Sequence, residues 1–162
     1  MSTSLGSRLD EILRDYVSSS PDIEAAAVVS FDGLPMASAL PAGMEDDRVA
    51  AMSAALLALG ERAAAGLGRG SLSQVFIEGD DGYVFLQSAD GEAVLVAVAA
   101  TQAKVGLAFY ELRRVCAQVA ATLREPSAVQ PADPPAFLPA YVTAGVRPEP
   151  APSTASTETT WS

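Results

Sequence analysis

Aspartate beside glycine recurs along this chain, at Asp32-Gly33, at Gly79-Asp80-Asp81-Gly82 and at Asp90-Gly91. Carboxylates held close together are the raw material of general acid–base catalysis and of calcium loops. Here each one sits in a short link between apolar runs, where aspartate is favoured for backbone reasons. No D-x-D-x-D-G run with a following glutamate accompanies them. They therefore read as turns. The sequence holds no histidine, one cysteine (Cys116) and one lysine (Lys104). Without histidine there is no Ser-His-Asp or Cys-His nucleophile and no imidazole base. A single cysteine cannot build a zinc or iron–sulfur site. The lysine stands in Ala103-Lys104-Val105, so no phosphate-binding Gly-Lys-Ser/Thr loop exists. Gly66-Leu67-Gly68-Arg69-Gly70 ends a helix and leads into a strand, the reverse of a phosphate cradle, and reads as a helix cap and linker. An enzyme built on this chain would have to work with carboxylates alone, and the expectation is a protein with no catalytic residue, metal or cofactor.

The net charge is −10, with 20 acidic and 10 basic residues spread along the whole chain. Nucleic acid and anionic membrane need clustered cations, so neither is an expected partner. The opening residues carry charges where a signal sequence would be apolar, and the charge-free run Val49–Gly60 is too short to span a bilayer. The expectation is a cytoplasmic protein, with Cys116 a buried structural thiol.

These residues sit on a legible series of elements. Leu5, Leu9, Ile12, Leu13 and Tyr16 recur at helical spacing and predict a first helix, which Ser18-Ser19-Ser20-Pro21 stops. Ile23–Phe31 and Leu34–Ala39 read as two strands joined at Asp32-Gly33, a sequence suited to a type I′ turn. Pro35 cannot donate to a ladder and places the second strand at a sheet edge. Glu45, Asp46 and Asp47 favour a helix start, and a second helix runs to about Leu67. Its residues Val49, Met52, Leu56, Leu59, Ala63 and Leu67 form one apolar stripe, expected to face the sheet. Ala51, Ala55, Ala58 and Ala65 form another, with Arg62 in the same row. Leu72–Glu78, Tyr83–Ser88 and Ala93–Ala100 read as an antiparallel meander. The last of these is apolar on both sides and must be central, with a layer over each face. Val105–Arg124 is a third helix. From residue 126 to 162 the chain turns to Pro, Ser, Thr and Ala, holding 8 of the 11 prolines. This reads as a disordered tail after a domain of residues 1–125, and its Phe137–Val142 and Trp161 are candidate short binding segments.

The predicted fold class is α+β, a three-layer α/β/α sandwich with a five-stranded antiparallel sheet and helices on both faces. The order helix, hairpin, helix, meander, helix resembles the Roadblock / dynein light chain family, whose fold is profilin-like. Three strings carry the resemblance: VVSFDGLPMAS (Val28–Ser38), AAMSAALLALGER (Ala50–Arg62) and VGLAFYELRR (Val105–Arg114). The bacterial stand-alone members fit better than the eukaryotic motor subunits. The resemblance implies dimers that extend the sheet across two chains, and work as regulators or scaffolds of small Ras-like GTPases.

The residues themselves point toward self-association. A second stripe of small residues on a helix whose first stripe already serves the sheet is either extra core or a seam that lets another backbone come close. The strand Leu72–Glu78 has no edge-blunting device before Glu78, and an open apolar edge invites pairing with another chain. The candidate dimer interface is Ala51, Ala55, Ala58, Leu72, Gln74 and Phe76. Arg48, Arg62 and Arg69 flank the second helix and are candidate contacts to an acidic or phosphate-bearing partner. The expected function is a non-catalytic homodimeric regulator or scaffold of a small Ras-like GTPase. A small-molecule sensor or a purely structural assembly module is the alternative.

Overall fold

The computed structural model describes residues 4–125, and the segment read above as a tail lies outside them. The first helix, α1 (Leu5–Ser19), begins where the Ser4 hydroxyl accepts from the Ser7 N–H at 3.2 Å. It buries Leu9, Leu13 and Tyr16. Two strands follow, β1 (Ile23–Ser30) and β2 (Pro35–Ala39), then α2 (Asp46–Gly66). The meander is β3 (Gln74–Gly79), β4 (Gly82–Ala89) and β5 (Ala93–Ala100), and α3 (Val105–Arg124) closes the series.

All five strands pair antiparallel in the order β2-β1-β5-β4-β3. The Pro35 strand is one edge and β3 the other. The uniformly apolar β5 lies in the centre, where period-2 alternation splits its side chains between two cores. Leu95 and Ala97 join Leu9, Leu13, Val28, Phe85, Leu112 and Val119 under α1 and α3. Val94 and Val96 join Ala27, Val29, Leu86, Ala50 and Leu57 under α2. The molecule is the predicted α/β/α sandwich, with α1 and α3 on one face of the sheet and α2 on the other.

Three local expectations are corrected. Asp32-Gly33 is not a type I′ turn, because Gly33 has φ 82° while Asp32 keeps a negative φ. Ser30 accepts from the Gly33 N–H and donates to the Leu34 carbonyl, the pattern of a three-residue hairpin loop that ends on a left-handed glycine. The type I′ signature falls instead at Asp90-Gly91, where both central residues have positive φ, 54° and 75°, and the Glu92 N–H reaches the Ala89 carbonyl. The first meander strand starts at Gln74, not Leu72. Leu72 precedes it and tucks beneath α2, against Gly60 and among the residues of the second core.

The third correction concerns the rotation of α2. The residues that face the sheet are Ala50, Ser53 and Leu57. The stripe expected there contributes only half-buried Val49 and Leu56, and its Met52, Leu59, Ala63 and Leu67 are exposed. The physical reason is size. The layer beneath α2 comes so close that a Cβ on Gly60 would stand 3.2 Å from a Val75 methyl of β3 and 2.9 Å from a Leu72 methyl. Small and weakly polar residues therefore fill the contact, and hydrophobicity alone does not reveal them.

Candidate protein-interaction surface

Turning α2 this way concentrates its larger apolar residues on the outside. Ala51, Ala55 and Ala58 are exposed as the second stripe required, and Met52 and Leu59 flank them at 50% and 65% exposure. A soluble helix ordinarily presents charge to water. Between Ala51 and Leu59 this one presents no charged residue at all. Arg48 and Arg62 stand on the same outer face, one at each end of the apolar stretch, both exposed and neither in an ion pair among the described residues. By length and hydropathy α2 would pass as a membrane span. Yet Asp46, Asp47, Arg48, Glu61 and Arg62 lie within its 21 residues, and its inner face is packed on the sheet.

Arg69 sits beyond the end of α2. Its N–H donates to the Ala64 carbonyl at 2.7 Å while that of Gly68 reaches Ala65, a Schellman arrangement. The glycine-rich run is thus the helix cap expected of it. Arg69 is separated from Arg62 by nearly two helical turns, so the three arginines do not form one cluster.

The β3 edge lies on the same side of the molecule as the C-terminal half of α2, through Leu72 and Val75. Its side chains alternate. Val75 and Ile77 face the α2 layer, while Phe76 stacks on Tyr83 at 5.7 Å between ring centroids and also meets Phe85 and Phe109. Phe76 remains 39% exposed and Gln74 half-buried, so aromatic surface stands at a strand edge that is unpaired among the described residues. Between the first turns of α2 and the sheet, Met44, Val49, Met52, Leu56, Ile77, Val84 and Val98 line an open apolar groove of about 510 Å³, with Glu45 and Arg48 at its rim. The structure therefore brings Ala51, Ala55 and Ala58 into one exposed face and leaves Gln74 and Phe76 at an open edge, with Leu72 tucked between the two. Sequence reasoning missed Met52, Leu59 and the groove. The signal was present in Arg62, a charged residue in the alanine row that marks the outward direction.

Other groups with chemical potential lie elsewhere. Asp90 pairs with Arg124 across its turn. Among the described residues no three metal-binding side chains come together. Cys116 is buried, and its thiol donates to the Ser88 carbonyl at 3.4 Å. Burial pushes its pKa up to about 11. The folded thiol thus keeps a proton that the unfolded chain gives up, so its contribution to stability is complete below pH 9 and is lost as pH rises toward 11. Iodoacetamide at pH 8 is expected to leave Cys116 unmodified in the native protein and to alkylate it in denaturant, with intact mass as the readout. Rapid native labelling would contradict the buried placement.

The family model described as Roadblock/LC7 domain matches residues 9–99. An uncharacterised protein of Methanocaldococcus jannaschii is 33% identical over 113 residues, which cover 70% of this chain and 97% of the relative. The crystal structure of a Roadblock/LC7 domain from Streptomyces avermitilis is similar at a TM-score of 0.66 with 26% identity, covering 70% of this chain and 96% of that one. Myxococcus xanthus MglB shares the fold at a TM-score of 0.69 with 14% identity, covering 76% and 92%.

Proposed function

The chain belongs to the Roadblock/LC7 family, and on that premise we propose that it is a non-catalytic regulator or scaffold whose two copies join into a platform for a small Ras-like GTPase. The observation that carries this reading is the outer face of α2, apolar from Ala51 to Leu59, on a helix whose C-terminal half packs beside the β3 edge through Leu72 and Val75. Pairing β3 with its symmetry mate would satisfy the free ladder groups and remove the edge. An antiparallel mate would bring its own Val75 beside Ile77, and with it the C-terminal half of its α2. Leu59 of each copy would then overhang the apolar groove of the other. A dimer of standard size buries about 1,600 Å² in total. In this proposal residues 1–125 form the domain, residues 126–162 are a tail outside it, and the protein works in the cytoplasm.

The GTPase would meet the composite face made by two copies of α2, with Arg48 and Arg62 at its ends and Arg69 beyond. The test is to load a Ras-like GTPase of the same genome with a non-hydrolysable GTP analogue and titrate it with the full chain. Saturable binding to a particle twice the chain mass of 16.6 kDa is expected. Arg62→Ala should weaken that binding about tenfold, the loss of a single charged contact of ~1.4 kcal/mol. Unchanged affinity removes Arg62 from the site, and absence of binding overturns the GTPase assignment. The groove beside α2 supports the second reading, a small-molecule sensor. Native mass spectrometry that retains a bound metabolite would favour it.

A further inference from the structure

A second uncovered face lies on the opposite side of the sheet. The inner side of α3 is buried through Ala108, Leu112, Val115, Cys116 and Val119. Its outer side leaves Leu107 50% and Tyr110 66% exposed, one helical turn apart. Arg113 and Arg114 follow one turn later and Lys104 immediately precedes the helix, all three exposed. Every other cation on the α1 and α3 elements has a carboxylate: Arg8 has Glu125, Arg14 has Asp10, and Arg124 has Asp90. Lys104, Arg113 and Arg114 make no ion pair among the described residues. Glu111 lies in the same stretch but is half-buried and accepts from the Ser20 hydroxyl at 2.8 Å. A chain of net charge −10 thus gathers three cations, without an ion pair among the described residues, near two exposed apolar side chains on one helix, Arg114 also bordering the cleft toward Glu11 and Asp15 of α1.

Tyrosine and arginine side by side are the residue types that dominate interface energies. We propose that this face of α3 docks an acidic amphipathic segment of a partner protein. Its carboxylates would meet Arg113, Arg114 and Lys104 while an apolar side chain covers Leu107 and Tyr110. Charge decides the class of partner. Nucleic acid and anionic bilayers hold proteins through many cations, and here three stand against a chain of net charge −10. A protein segment needs only a few local carboxylates. The face lies across the sheet from α2, so a dimer seamed along α2 would carry it twice and could hold two partners at once.

The test uses the full chain and a labelled helical peptide of about 18 residues, five turns, with a leucine stripe flanked by glutamates. A twin peptide carries lysine in place of glutamate. Fluorescence anisotropy should show saturable binding of the glutamate peptide, with the twin bound far more weakly. Arg113→Glu combined with Arg114→Glu should weaken it more than tenfold, and Tyr110→Ala several-fold. Salt at about 0.5 M should weaken it as well, because screening then shortens the reach of exposed charges. Circular dichroism of these exposed-site variants should match the parent. Ala55→Glu should leave the peptide affinity unchanged, which separates this proposal from the dimer. No saturable binding, equal binding by the double variant, or preference for phosphatidylserine vesicles over the peptide overturns it.

Discussion

Replacing Ala55 by glutamate is expected to turn the proposed dimer into a folded monomer. Ala55 lies on the outward side of α2, exposed in the single chain. Glutamate is nearly as good a helix former as alanine, so the variant should fold as well as the parent. In a dimer seamed along α2 the new carboxylate would be stripped of water without a partner, and its symmetry mate would repel it. An uncompensated buried charge costs about 3–5 kcal/mol, and even the lower figure raises the dissociation constant by roughly two orders of magnitude. Sedimentation velocity should show a single chain while far-UV circular dichroism stays unchanged. Mixing Ala55→Glu with Ala55→Lys chains should restore dimers, because the two new charges then attract. A parent-like dimer of the glutamate variant alone would remove α2 from the interface.

How far this surface was legible from residues alone differs from one element to the next. Val105–Arg124 came out at its full length because its apolar period and the change of composition after it are both strong. The central place of Ala93–Ala100 followed from apolarity on both sides, and the edge place of β2 from Pro35. The rotation of α2 did not follow. Its sheet-facing row includes Ser53 and Gly60, which hydrophobicity counts against burial. Its outward row includes Met52 and Leu59, which hydrophobicity counts for it. α2 carries apolar residues on two faces, and a periodicity argument cannot tell which is which. The turns show a similar limit. Asp32-Gly33 and Asp90-Gly91 are the same dipeptide, yet only the second takes positive φ at both residues. Loop length, set by where the strands end, decided between them. The α3 face was not legible because the helical period places Leu112, Val115, Cys116 and Val119 inward without showing that Leu107 and Tyr110 stay uncovered on the other side.

The β3 edge proposed to pair with a second chain rests on one residue at its root. Among the described residues β3 pairs only with β4, so the placement of Gln74 and Phe76 depends on how the β3–β4 hairpin turns at Gly82. That glycine has φ 148°, and a Cβ there would fall 2.2 Å from the Ala99 carbonyl oxygen. Ala99 belongs to the central strand, held between β1 and β4, and is 1% exposed. Its backbone has no room to retreat. Gly82→Ala therefore combines backbone strain of about 1–3 kcal/mol with a steric cost of similar size. A loss near 3 kcal/mol should lower the melting temperature by roughly 10 °C. Gly91→Ala is the control. It too has positive φ, 75°, but a Cβ there meets nothing within 4 Å, so only the strain of about 1 kcal/mol remains. Because the Gly82 variant must swing the hairpin away from β5, its β3 edge should lose register, and dimer formation should fail at temperatures where the rest of the fold survives. Calorimetry and sedimentation on the two variants give the ordering. A Gly82→Ala protein that melts with Gly91→Ala and still dimerises would show that β3 is held in place by something other than its turn.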